Sequence, residues 1–205
     1  MIKQTFMEVL PDVWPMLIII TVIISSLRIA YLITKHKKFL LHKEIIYLLA
    51  IIYILCLFHV VTFQDINYGE SNFVPFKEIF RYSFGSHKFI RNVLGNIILF
   101  IPFGFLSSYL LKNRHLSVVT ILTLIASGTI ETVQYYIGRV FDIDDIILNL
   151  IGGIVGFLIF IGLDAIRNKV KLLKNDTVLD ILIIIILVLV MIYSLNINVF
   201  NLIGG

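Results

Sequence analysis

Six stretches of this chain are close to twenty residues long and nearly free of charge: Trp14 to Ile33, Ile45 to Phe63, Phe89 to Leu111, Leu116 to Ile137, Asp145 to Ala165 and Val178 to Phe200. An α-helix rises 1.5 Å per residue, so about 20 apolar residues cross a hydrocarbon core of about 30 Å. Inside that core every backbone N–H and C=O must be satisfied within the protein, which leaves a helix as the form open to such a segment. The expected fold is therefore all-α: a polytopic membrane helix bundle of about six transmembrane helices. With 15% charged and 59% hydrophobic residues among 205, the chain is far below the roughly one-quarter charge content of soluble domains, and the short connections leave no room for one. We read residues 1–205 as a single integral membrane domain. Cys56 is the only cysteine, which excludes an intrachain disulfide and a thiolate zinc cluster. No cofactor and no dedicated metal centre is called for.

Charge sets the expected orientation. Lys35, Lys37, Lys38 and Lys43 occupy the first connection, Lys112 and Arg114 the third, and Arg167, Lys169, Lys171 and Lys174 the fifth. The other side mixes its basic residues with Glu8, Asp12, Asp65, Glu70, Glu78, Asp142 and Asp144. The positive-inside rule then places the basic connections in the cytoplasm and both termini outside. The net charge of +4 is accounted for by these lipid-facing anchors, and no basic patch suggests nucleic acid. Trp14 to Ile33 lacks a small-residue cleavage site before the basic run and reads as a retained helix.

Polar groups at membrane depth cost several kcal/mol unless partnered. Asn92, Asn96, Glu131, Gln134, Arg139, Asp142, Asp144, Asp145 and Asn149 nevertheless punctuate the region from Arg91 to Gly156, and they fall on faces. Asp142, Asp145, Asn149, Gly152 and Gly156 make one helical stripe, and Ser127, Glu131, Gln134 and Gly138 another. With the fourth segment running outward and the fifth inward, the stripes meet in the outer leaflet, where Glu131 lies about 9 Å below Ile137 at 1.5 Å per residue. Gly152 and Gly156 allow another helix to approach closely. Pro102 is expected to bend the third segment and free a carbonyl.

In the outer loop, Gln64 to Lys88, the residues Phe76, Ile79, Phe80 and Phe84 recur at helical spacing opposite Lys77, Glu78, Arg81 and Tyr82. This predicts an amphipathic helix lying in the interface between helices 2 and 3, with Pro75 near its start, placed to roof the site.

Taken in order, Asn72-Phe-Val-Pro75-Phe, Asn92 with Gly95-Asn96 and Leu99-Phe-Ile-Pro102-Phe-Gly104, Glu131 with Gln134, then Arg139-Val-Phe-Asp142-Ile-Asp144-Asp145 and Asn149 with Gly152-Gly153 and Gly156, resemble the VanZ-like family. The resemblance covers about 72–160, leaving the N-terminal helices 14–63 and the C-terminal helix 178–200 outside it. It implies a small bacterial membrane protein, in a family named for low-level resistance to the lipoglycopeptide teicoplanin. The positions it carries over are Asn72, Pro75, Asn92, Asn96, Pro102, Glu131, Gln134, Arg139, Asp142, Asp144, Asp145 and Asn149.

Each of these residues also has a structural reading. The amides can hydrogen-bond between helices, a contribution averaging about 0.6 kcal/mol in membranes. Asp142 and Asp144 suit a helix N-terminus. Glu131 lies deeper, where no cap needs it, and must find a cation such as Arg91 or Arg139 or take up a proton. Arg28 is expected to snorkel, and His36, His42, His59 and His115 are assigned no chemistry.

Three function classes follow. In the first, a pocket of Asn72, Arg91, Asn92, Asn96, Glu131, Gln134, Arg139, Asp142, Asp144, Asp145 and Asn149 binds or shields an amphiphile, such as a membrane lipid, a lipid-linked wall precursor or a lipoglycopeptide. In the second, Glu131 or Asp145 is the general acid or base of an extracytoplasmic membrane enzyme, alone or with a divalent ion held by Asp142, Asp145 and Asn149. The chain offers no activated Ser, His or Cys nucleophile arrangement in support of it. The third, a transporter, fits less well, because the polar residues gather at one end and no internal repeat is present.

Overall fold

The computed structural model describes residues 2–62 and 71–203, with side chains for 14–60 and 71–189. The first part of the outer loop, Gln64 to Glu70, therefore lies outside the described residues, as do the side chains of Glu8 and Asp12. Among the described residues the fold is all helical. In order come α1 (Ile2–Thr34), α2 (Leu41–Thr62), α3 (Lys77–Arg81), α4 (His87–Phe89), a π-helical turn (Ile90–Leu94), α5 (Gly95–Leu111), α6 (Leu116–Tyr136), α7 (Ile143–Lys169), a 3-10 turn (Lys171–Lys174) and α8 (Asp176–Ile203). Five helical spans are long and apolar enough to cross a membrane: Trp14–Thr34, Leu41–Val60, His87–Leu111, Leu116–Tyr136 and Ile143–Lys169. The sixth expected segment, Val178 to Phe200, falls within α8. This is a multi-pass membrane protein.

The chain forms two compact units. One comprises residues 1–52 and 166–205, the other residues 53–165. In the first, Arg28 has a carboxylate partner on the neighbouring helix. Its Nε and Nη2 donate to Glu44 Oε2 and Oε1 at 2.9 and 3.1 Å, and its guanidinium lies 4.4 Å from the centre of the Tyr47 ring. A forked pair of this kind satisfies both charges within the protein. His42 is buried, its N–H and Nδ1 both against Asp180 Oδ1 at 2.8 and 2.7 Å.

In the second unit α5 and α7 run side by side at very close range. A Cβ placed on Gly152 would lie 2.2 Å from the Ile97 carbonyl oxygen, one on Gly156 2.0 Å from that of Ile101, and one on Gly104 1.9 Å from that of Gly153. Backbone atoms cannot yield, so only glycine lets the helices approach this far. Helix α6 packs antiparallel against the same face of α7, with Thr123 on Gly153 and Ser127 Oγ accepting from Asn149 Nδ2 at 2.9 Å. Pro102 removes an N–H from α5, and the Tyr53 hydroxyl donates to the neighbouring Leu99 carbonyl at 2.9 Å.

The ends of these helices bring the polar residues together. α6 stops at Gly138, whose φ of 86° needs no Cβ, and the Arg139 N–H returns to the Gln134 carbonyl at 2.9 Å. The chain thus turns back after Gly138, and α7 begins beside the end of α6. Asp142 Oδ1 accepts from the Asp144 N–H at 2.9 Å and caps α7. The roof helix is shorter than the pattern from Phe76 to Phe84 suggests: α3 has five residues, Phe76 precedes it in the left-handed region and Tyr82 is extended. Its faces depart from the pattern at Ile79. Phe80 and Phe84 are 83% and 91% exposed, whereas Glu78, Ile79 and Tyr82 turn inward.

Candidate functional site

The starts of α5 and α7, the end of α6 and the short α3 enclose a partly open cavity of about 220 Å³. Arg91, Asn92, Asn96, Glu131, Gln134, Arg139, Asp142, Asp144, Asp145 and Asn149 all line it, between apolar walls that include Val60, Val93, Leu99, Phe100, Ile130 and Leu148. Of the residues selected from sequence, Asn72 is the one placed elsewhere. It forms an isolated bridge with Asp142, its N–H donating to the Phe141 carbonyl at 2.8 Å, and its Nδ2 donates to Asp142 Oδ1 at 2.8 Å. Asn72 therefore holds a wall of the cavity rather than facing it.

The five carboxylates of the cavity differ in how far the fold has used them; Glu78 holds Arg81 Nη1 on both oxygens. Asp144 is 1% exposed, and its oxygens accept from the backbone N–H groups of Phe76, Glu78 and Ile79 at 2.5, 2.7 and 3.1 Å. It caps the roof helix from another element. Asp142 Oδ1 accepts both from Asn72 Nδ2 and from the Asp144 N–H of its own helix start. Burial pushes its carboxyl above the ordinary carboxylate range, while the hydrogen bonds from Asp144 N–H and Asn72 act in the other direction. Glu131 is 2% exposed; Oε2 accepts from the Asp142 N–H at 3.0 Å. With the Gln134 amide nitrogen turned toward it, Oε1 accepts from Gln134 at 3.1 Å, and the Gln134 oxygen accepts from Arg139 Nη1 at 2.6 Å. Glu131 and Arg139 are thus joined through Gln134, and both oxygens of Glu131 are spent on bracing the loop between α6 and α7.

Asp142 thus keeps its second oxygen open, and Asp145, one turn from Asn149, is the other acid that does. Asn96 Nδ2 donates to its Oδ1, and no described residue bonds its second oxygen. One turn further along α7, Asn149 is 4% exposed with its Oδ1 unpartnered. At the rim, Arg91 is exposed and makes no hydrogen bond or ion pair among the described residues. Arg91 and Asn92 lie in the π-helical turn, where the Gly95 N–H reaches back five residues to the Ile90 carbonyl. The extra residue re-aims this turn against the rest of the helix, as π-bulges often do beside sites.

A family model described as VanZ/LLP1 matches residues 44–167. The chain belongs to the VanZ/LLP1 family. No curated protein and no solved structure matches it. The span matched by the VanZ/LLP1 model contains every residue that lines the cavity and extends beyond the 72–160 region marked by the motifs. Among the described residues of this VanZ/LLP1 chain, no three His, Cys, Asp or Glu side chains are grouped to hold a metal ion.

Three contributors were not selected from sequence. Glu78 and Tyr82 line the cavity from α3, and Thr123 extends the buried stripe of α6. The i, i+4 spacing of Glu78 and Tyr82 was the available signal, but an interfacial helix sends its polar face to water as readily as to a site.

Proposed function

We propose that this VanZ/LLP1-family protein lies in the bacterial cytoplasmic membrane with both termini outside, and that its cavity recognises or shields the head of a cell-envelope amphiphile. Protection against a glycopeptide such as teicoplanin is the expected consequence. The observation that carries this reading is the convergence of ten polar side chains, from three long helices and a connecting loop, on one cavity within an otherwise apolar unit. Keeping so many polar groups at membrane depth is costly unless they are used. Size narrows the reading. Pockets for drug-sized ligands run to about 300–1,000 Å³, so 220 Å³ admits a head group and neither acyl chains nor a whole lipoglycopeptide. The chains would remain in lipid alongside.

A second reading, carboxylate acid–base chemistry on the same head, has one specific support: Asp145 keeps an oxygen open to the cavity while Asn96 fixes the other. Glu131, with both oxygens engaged, suits a supporting role. The test is teicoplanin susceptibility of a sensitised bacterial host producing wild type, Asn96→Leu, Asp145→Asn or Gly162→Ala at matched abundance. The reading expects protection by wild type and Gly162→Ala and its loss in the two cavity variants. Full protection by both cavity variants would sink it.

A further inference from the structure

Two ionisable groups of the cavity, one an acid and one a base, keep binding atoms that no described residue engages. Asp145 offers an open carboxylate oxygen inside. Arg91 offers a whole guanidinium at the rim. Asp145 is bonded to Asn96, five residues or about 7.5 Å of helix rise beyond Arg91, and both Arg91 and Asp145 line the same cavity. We propose that the cavity takes a zwitterionic lipid head of the phosphoethanolamine kind, its primary ammonium on Asp145 and its phosphate on Arg91. The inference rests on the head-binding reading above and specifies its ligand.

Each alternative head leaves a group unsatisfied. A purely anionic head reaches Arg91 but brings no donor to Asp145, and it faces the further carboxylates Asp142, Asp144 and Glu131 across the same cavity. A purely cationic head leaves Arg91 unused. A trimethylammonium carries the right charge but no N–H, so it cannot donate to Asp145. A primary ammonium has three donors, and Asn149, whose Oδ1 has no partner, lines the same cavity one turn from Asp145. The phosphate would meet Arg91 in the forked geometry that guanidinium favours. The head without its chains also fits the volume of about 220 Å³.

The test uses the full chain in nanodiscs of phosphatidylglycerol doped with a minor fraction of a guest lipid of identical chains: phosphatidylethanolamine, phosphatidylcholine or phosphatidic acid. Native mass spectrometry counts the guest lipid retained, and thermal unfolding confirms that each variant is folded. Wild type should retain phosphatidylethanolamine about tenfold over phosphatidylcholine, a difference of about 1.4 kcal/mol. Asp145→Asn should erase that preference. Arg91→Gln, a change at an exposed side chain outside the internal network, should lower retention of phosphatidylethanolamine and leave thermal stability unchanged. Equal retention of ethanolamine and choline lipids by wild type would overturn the proposal, as would a preference that survives Asp145→Asn. If phosphatidic acid is the retained lipid and Asn96→Leu abolishes its retention, the zwitterion falls and the head-binding reading stands. If no guest is retained above the host lipid and Asn96→Leu changes nothing, both fall.

Discussion

Substituting Gly156 by alanine probes the contact that positions the two cavity-forming helices. The added Cβ would lie 2.0 Å from the Ile101 carbonyl oxygen and 2.7 Å from the Phe105 nitrogen, both backbone atoms of α5. Ordinary contact begins near 3.4 Å, so α5 and α7 must separate by more than 1 Å at this level. Overpacking of a well-packed interior costs about 1–3 kcal/mol when side chains can yield. Here only whole helices can move, which puts the expected loss at the upper end. Gly162→Ala is the matched control on the same helix: nothing lies within 4 Å of its Cβ, and alanine is the better helix former by about 1 kcal/mol. Equilibrium unfolding in mixed micelles should therefore separate the pair by about 3 kcal/mol, with Gly162→Ala neutral or stabilising. Because Asn96 and Asp145 bridge the same two helices, Gly156→Ala should also weaken head binding. Equal stability of the two variants would refute the close-packing argument.

Further expectations follow from individual side chains. Asp144→Asn removes a charged acceptor of three roof amides, so amide hydrogen exchange at Phe76, Glu78 and Ile79 should accelerate while that of α5 does not. Because burial raises the Asp142 carboxyl, the folded state holds that proton more tightly than the unfolded chain. Stability should then fall as pH rises above the ordinary value of 3.8 through the titration of Asp142, and Asp142→Asn should remove that part of the slope in a pH series of unfolding curves. For the proposed orientation, in a Cys56→Ala background, a cysteine replacing Ser83 should react with an impermeant thiol reagent on intact cells and one replacing His115 should not; the reverse pattern would invert the topology.

The helices were legible because membrane crossing imposes length and apolarity together, and the stripe Asp145, Asn149, Gly152 and Gly156 because its spacing is that of one helical face. Which acids remain open was not legible. Asp144 is consumed by amides 65 to 68 residues away and one oxygen of Asp142 is held by Asn72, 70 residues away, partnerships that no local spacing encodes. Glu131 stood out as the deep acid for the same reason: its depth is local information, whereas its engagement by the Asp142 N–H depends on the turn at Gly138. Gly104 was hidden in an apolar run, and its need for glycine comes from Gly153 across the helix contact. The Arg28 partner was not legible either, because Glu44 lies on the next helix.

The central claim is that the polar cavity holds an envelope amphiphile by its head. Native mass spectrometry of the protein released in mild detergent from the membrane of the cells that produce it tests it directly. The account predicts a retained amphiphile on wild type that is absent from folded Asn96→Leu, in which the side chain fixing Asp145 is replaced by one of similar size that cannot hydrogen-bond. The same set of bound lipids on both proteins would contradict it.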